Sequence, residues 1–114
     1  MTVTGFAHVY LETHDWQAAR AFWESLGFTV EFATDHGSGA LRAPDGGTYL
    51  FLAEQPREAP LGQALYLAAD AAAAFPPGTD VKFDWEPTHW GTQVAVLRDP
   101  DGREIRVEAP AGSA

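Results

Sequence analysis

The sequence predicts an α+β domain built from two similar units, each made of a strand, a helix and three further strands. Apolar and polar residues alternate in several short segments, which is typical of strands. Apolar residues between positions 16 and 26 instead recur at helical spacing. The order of segments then repeats after about 55 residues, because Asp15 and Asp70 both precede a helical segment and Arg42 and Arg98 both precede a Pro-Asp-Gly turn.

The first unit is predicted over about residues 1–57. It starts with a strand, GFAHVYLET, followed by a helix that Asp15 caps at its N-terminus and Gly27 ends. The strand FTVEF, the loop and strand DHGSGALRA, the turn APDGG and the strand TYLFLAE complete it.

The second unit is predicted over about residues 61–110. Its segments are a strand GQALYLAA, a short helix DAAAAF, and three strands DVKFDW, TQVAVLR and REIRVEA. Pro76 and Pro77 end the short helix, since proline has no backbone N–H to donate. Asp99, Pro100 and Gly102 suit positions one, two and four of a type I turn. No Gly- or Ser-rich linker separates the units, so a single compact domain over residues 1–114 is expected.

Alternation assigns the two faces of the strands. The helices should cover the face that carries Val9, Leu11, Ile105 and Val107. Phe22, Trp23, Phe28 and Phe83 follow the packing periods and are predicted in the core. The opposite face is either solvated or the lining of a cleft, and it carries His8, Tyr10, Glu12, Gln63, Glu104, Arg106 and Glu108.

Composition excludes several function classes. The formal charge of −9 comes from 16 acidic against 7 basic residues and argues against nucleic acid as a partner. It either serves solubility or attracts a cationic ligand. The absence of cysteine excludes disulfides, zinc–thiolate sites and thiol nucleophiles. No signal peptide and no membrane-length apolar run is found, which predicts a soluble cytoplasmic protein without a membrane partner.

Two motifs resemble the vicinal oxygen chelate superfamily. The first is GFAHVYLETHDWQAARAFWESLGF, and the second is HWGTQVAVLRDPDGREIRVEAP. Together they cover nearly the whole chain in the expected order. The superfamily includes glyoxalase I, extradiol dioxygenases, fosfomycin-resistance enzymes, methylmalonyl epimerase and bleomycin-resistance proteins. The resemblance implies paired βαβββ modules that form an open, barrel-like curved sheet around a cleft, usually in a homodimer.

The resemblance also implies four metal-ligand positions, which here are His8, Leu50, Gln63 and Arg106. Leu50 offers no lone pair and Gln63 is a weak ligand. Arg106 stays protonated and would repel a cation. A divalent-metal cofactor is therefore not expected, although a shifted site using His8 and Glu108 is the fallback.

An aromatic small molecule is the predicted partner. Trp90 precedes a strand beside a glycine, at a step where the bleomycin-resistance proteins use an aromatic to stack on drugs. Tyr10, Trp16 and Trp85 could extend an aromatic wall, and the nearby acids would favour a cationic ligand. Arg106 would either pair with Glu104 and Glu108 or meet a ligand carboxylate. The predicted ligand-binding residues are Trp90, Arg106, Tyr10, Gln63, Glu108, Trp85 and Leu50.

The leading functional hypothesis is therefore metal-free sequestration of a drug or natural product, as in antibiotic resistance. One alternative is a metal-dependent lyase, isomerase or dioxygenase of the same superfamily. The other is a metal-free enzyme in which His8 is the catalytic general base.

Overall fold

The computed structural model describes residues 1–112, so the last two positions of the predicted domain lie outside it. The chain divides into two compact units: a helical unit, His8–Ala64, and an all-β unit, Met1–Ala7 together with the residues from Leu65 onward. No helix within residues 1–112 is long and apolar enough to cross a membrane. The elements are β1 (Val3–Thr13), α1 (Trp16–Ser25), β2 (Thr29–Ala33), β3 (Ser38–Arg42), β4 (Tyr49–Glu54), β5 (Gln63–Ala69), β6 (Asp80–Pro87), β7 (Thr92–Arg98) and β8 (Glu104–Pro110).

The helical unit has the strand order β2-β3-β4-β1, with β1 parallel to β4 and the other pairs antiparallel. Val9 lies opposite Leu50, and both belong to the face that α1 covers. As predicted, Val9 and Leu11 pack against this core. The buried members of the core are Trp16, Leu41, Leu50 and Leu52.

Helix α1 begins and ends where the sequence predicts. The Asp15 carboxylate accepts a hydrogen bond from Ala18 N at 3.1 Å, which satisfies one of the free N–H groups of the first turn. The Glu54 carboxylate accepts from Trp16 N at 2.7 Å and satisfies a second. Gly27 follows the helix with φ +101°, a backbone conformation that glycine adopts without steric cost.

The Asp15 cap gives a first testable prediction. Asp15→Ala should lower the free energy of unfolding by about 1 kcal/mol, because Ala18 N loses its acceptor. Urea unfolding followed by circular dichroism measures the change. The matched control is Asp35→Ala, whose side chain is fully exposed and should be near neutral. Equal losses for both variants would contradict a capping role.

The all-β unit has the strand order β5-β8-β7-β6, with β5 parallel to β8 and the other pairs antiparallel. Its core contains Ala69, Ala72, Val107 and Ala109, and Leu67 lies opposite Val107. The turn before β8 forms as predicted, since Gly102 N donates to Asp99 O at 2.9 Å. Val107 is fully buried, which confirms its predicted place on the core face.

The predicted second helix is wrong: residues 70–79 form a bend, an irregular segment and a turn. Asp70 does not cap a helix, because its carboxylate accepts from Thr2 N at 2.7 Å and its pKa is lowered by that hydrogen bond. Ala73 N donates to Ala71 O, two residues back, where a helix would require four. With Pro76 only a few residues further, the segment is too short to complete stable helical turns.

Two of the four predicted core aromatics are wrong. Phe22 is 57% exposed on α1, and Phe83 is 53% exposed on β6. Trp23 and Phe28 do pack against the helical unit's core. Phe83 lies at a shift in the β6–β7 register, and such an irregularity changes the face on which a side chain falls. The constant spacing between the two repeats does not reveal this shift in register.

Candidate functional site

A row of aromatic side chains crosses the sheet of the helical unit on the face away from α1. Tyr10 lies opposite Phe51, Phe51 opposite Ala40, and Ala40 opposite Phe32. The ring centroids are 6.3 Å apart for Tyr10 and Phe51, and 6.2 Å for Phe51 and Phe32. Phe32 is 53% exposed, so the row ends in an accessible ring. We call Tyr10, Phe51 and Phe32 the aromatic row.

The residues beside this row stack on one another. The His8 ring is buried and stacks on Tyr49 with 4.7 Å between centroids. The Arg42 guanidinium lies 5.3 Å from the Tyr49 centroid, within the range of a cation–π contact. Arg42 also binds both carboxylate oxygens of Glu31, and these hydrogen bonds lower the pKa of Glu31 and raise that of Arg42.

Leu50 is not a site residue, which corrects the sequence prediction. It is 4% exposed and packs with Trp16 and Leu52 under α1. The turn after Arg42 holds one residue more than the turn after Arg98, because Gly46 is followed by a second glycine. Counting the same number of residues from each turn therefore gives a position that is wrong by one residue in β4. A shift of one residue moves a side chain to the other face of the strand. Phe51 occupies the position that was assigned to Leu50.

Gln63 is likewise displaced from the predicted position. It is the exposed first residue of β5, whereas Tyr66 lies opposite Arg106. Positions 63 and 66 fall on opposite sides of a regular strand. Tyr66, which the sequence analysis did not single out, is the neighbour of Arg106.

A corresponding row crosses the sheet of the all-β unit. Phe83 lies opposite Val96, Val96 opposite Arg106, and Arg106 opposite Tyr66. The Arg106 guanidinium is 5.9 Å from the Tyr66 centroid, a cation–π distance. Burial raises the pKa of Tyr66, an effect that the positive charge of Arg106 partly offsets.

The acids that flank Arg106 bind other groups. Glu104 pairs with Lys82, and the hydrogen bond from Lys82 lowers the pKa of Glu104. Glu108 Oε2 accepts from Trp90 Nε1 at 2.7 Å and from Thr92 Oγ1 at 2.8 Å. None of the ion pairs formed within residues 1–112 includes Arg106, although its positive charge contributes to the lowered pKa of Glu104. The same-face pairing considered from the sequence therefore forms no ion-pair contact in this part of the chain.

The four residues of the predicted aromatic wall have different surroundings. Tyr10 lies in the aromatic row, and Trp90 is 50% exposed and bound to Glu108. Trp16 is buried in the helical unit's core, which is a correction. Trp85 packs against the all-β unit's core and stacks on Phe75, with Nε1 donating to the Ala73 carbonyl. It lines a cavity of about 510 Å³ beside residues 72–79, and the residues that line this cavity do not include Arg106.

The donors around His8 do not suit a divalent metal ion. On β4, the residues that share its face are Tyr49 and Phe51, and neither is a usual ligand. Glu108 of the fallback pair already accepts two hydrogen bonds. Among residues 1–112, no three His, Asp or Glu side chains are grouped as a metal site would require.

Comparison with solved structures identifies similar folds. Methylmalonyl-CoA epimerase from Mycobacterium tuberculosis aligns with a TM-score of 0.70 and 19% identity, covering 96% of this chain and 89% of that one. The Streptomyces coelicolor methylmalonyl-CoA epimerase in complex with 2-nitronate-propionyl-CoA gives 0.61 and 20%, with coverages of 97% and 100%. A glyoxalase/bleomycin resistance protein/dioxygenase superfamily member from Vibrio splendidus gives 0.60 and 15%, with 90% and 96%. No protein-family model and no curated protein matches the sequence.

At these identities the likeness shows the fold. The chain therefore has the fold of the vicinal oxygen chelate superfamily, as the two sequence motifs indicated. The predicted fold class is confirmed in a mostly β form, with α1 as the one helix among residues 1–112. The resemblance to the bleomycin-resistance type in particular stays a prediction.

Proposed function

We propose that this protein binds and sequesters a planar aromatic small molecule without a metal ion. The observation that carries the proposal is the aromatic row, which ends in the accessible ring of Phe32. A flat ligand laid on this ring buries apolar area and gains the additional stabilisation of ring stacking. Cytoplasmic localisation and a homodimeric assembly, which the sequence predicts, are part of the same proposal.

The similar structures support a small organic molecule as the ligand class. One of them holds a CoA derivative, and another is named for a superfamily that includes bleomycin resistance proteins. Sequestration as in antibiotic resistance is the form of this function that we favour. It requires only a binding surface, whereas an enzyme also requires reactive groups aimed at the ligand.

The two catalytic alternatives have less support from the side chains. A metal-dependent lyase, isomerase or dioxygenase needs a donor set, and Tyr49 and Phe51 do not supply one beside His8. A metal-free enzyme would use His8 as its general base. His8 is buried and stacked on Tyr49, so a substrate proton would have to reach a covered ring.

Phe32→Ala is expected to weaken binding of an aromatic probe by up to about tenfold, which corresponds to about 0.5–1.5 kcal/mol of lost stacking. The probes are 2-naphthoate, 2-naphthamide and 2-naphthylmethylammonium, which share one ring system and differ in charge. Isothermal titration calorimetry with 2-naphthamide, the uncharged probe, measures the affinity of the aromatic row. Phe22→Ala is the matched control, because Phe22 is equally exposed but lies on α1.

The metal-free part of the proposal is checked in the same titrations. Binding should be unchanged in EDTA, and protein purified without chelator should contain no stoichiometric metal by plasma mass spectrometry. Near-stoichiometric metal that is lost in His8→Ala would overturn the metal-free proposal in favour of the metal-dependent enzyme. Equal weakening by the Phe32 and Phe22 variants would overturn the aromatic row as the binding surface.

A further inference from the structure

Arg106 differs from the other cationic side chains of the chain. Of the seven Lys and Arg residues, five form ion pairs within residues 1–112. Of the other two, Arg57 is exposed in a loop, whereas Arg106 is half-buried in the middle of β8. A charge held partly away from water, without a carboxylate in ion-pair contact, is costly unless something else compensates it.

We propose that the all-β unit has a binding site of its own, for an aromatic ligand with a carboxylate or a similar planar oxyanion that the Arg106 guanidinium binds. This inference goes beyond the proposed function, because Arg106 belongs to the all-β unit whereas the aromatic row belongs to the helical unit. A guanidinium offers two parallel N–H donors that match the two oxygens of a carboxylate. Neither acid on β8 contacts the guanidinium as an ion pair, because Glu104 pairs with Lys82 and Glu108 accepts hydrogen bonds from Trp90 and Thr92.

The surroundings of Arg106 favour an anion that is also aromatic. Tyr66 packs against the guanidinium on one side, and its phenol stays neutral because burial raises its pKa. The Tyr66 hydroxyl therefore does not cancel the charge of Arg106. Phe83, in the same row, and Trp90, bound to the neighbouring Glu108, each expose about half of their surface. An aryl carboxylate can use a ring and the guanidinium of this one unit.

The acids that suggested a cationic ligand do not provide comparable sites. Glu12 accepts hydrogen bonds from the Tyr10 hydroxyl and from Gly62 N, at 2.9 and 2.7 Å. Glu104 is neutralised by Lys82. The overall charge of −9 repels an anion at long range, but salt screens that repulsion beyond about 8–10 Å. At contact distance, the partner of the ligand is Arg106.

The three naphthyl probes test the inference in the whole protein. Wild-type protein should bind 2-naphthoate more tightly than 2-naphthamide or 2-naphthylmethylammonium, by about tenfold or more. Arg106→Gln should remove this preference and leave 2-naphthamide binding nearly unchanged. Arg106→Lys, which keeps the charge but not the two parallel N–H donors, should give an intermediate affinity for 2-naphthoate. Arg20→Gln makes the same charge change on α1 and should leave all three affinities unchanged.

Three other outcomes of the titrations would contradict the inference. If wild-type protein binds the amide or the ammonium probe as tightly as the carboxylate, the oxyanion inference is wrong while the aromatic binding function stands. If Arg106→Gln weakens all three probes equally, Arg106 supports the surface instead of binding the anion, and the inference is also wrong. If none of the probes binds, both the inference and the proposed function fail. The comparison of probes in wild-type protein decides the matter even if Arg106→Gln does not fold.

Discussion

Leu50→Glu is expected to unfold the protein, whereas Phe51→Glu should leave it folded. Leu50 is 4% exposed among Trp16, Leu41 and Leu52, so a glutamate there would be buried without a partner. The loss should exceed about 4 kcal/mol, a large part of the stability of a small domain. Phe51 faces the other side of β4 and is half-buried, so the charge can reach water at a cost of about 1–2 kcal/mol.

This pair of variants tests the strand register directly, because the same change is made at neighbouring positions. Circular dichroism and urea unfolding of both proteins, with wild type beside them, measure the difference. A folded Leu50→Glu protein together with an unfolded Phe51→Glu protein would mean that the faces of β4 are reversed. Leu50 would then lie on the ligand-binding surface, as the count of residues from the turn predicted.

Trp16→Ala should lower the free energy of unfolding by about 3–5 kcal/mol, the usual cost of removing a buried tryptophan. Its ring is 6% exposed and lies against Gly39, where a Cβ would come within 2.9 Å of Trp16 Cη2. Gly39 therefore makes room for the ring, and removing the ring leaves a cavity that the glycine cannot fill. Trp90→Ala should cost less than about 1 kcal/mol, because half of that side chain is already in water.

Chemical unfolding of the two tryptophan variants at the same protein concentration measures both values. The Trp90 variant should in addition show weaker binding of 2-naphthoate, while the destabilised Trp16 variant is informative only for stability. Similar losses of stability at both positions would contradict the assignment of Trp16 to the core and Trp90 to the surface.

The two units share features that the sequence repeat only partly reveals. Phe32 lies opposite Ala40 and Phe83 opposite Val96, and each phenylalanine lies at a register shift of its strand. Arg106 takes in one unit the place that Phe51 takes in the other, since Val96 and Ala40 are their respective partners. The same arrangement of strands therefore carries the aromatic row in the helical unit. In the all-β unit it carries an arginine between Phe83 and Tyr66.

Local signals in the sequence were sufficient for α1, for most strands and for the turn before β8. Asp15 and Gly27 mark the helix ends through hydrogen bonding and backbone freedom that depend on a few neighbouring residues. Val9 and Val107 were assigned to the core faces by alternation alone, and they pack there. The two motifs together also indicated the superfamily fold, which the similar structures confirm.

The tertiary structure alone decided which side chains are neighbours across strands. Placing Phe51 beside Tyr10, and Tyr66 beside Arg106, requires the register of parallel pairs whose strands are far apart in sequence. One extra glycine in a turn and two strand irregularities changed the face of Leu50 and Phe83 without altering any local pattern. The sequence by itself determined the helix and the strands, and the pairing of the strands determined which side chains share a surface. Successive side chains of a strand point to opposite faces, so an error of one residue in register places a side chain on the wrong face.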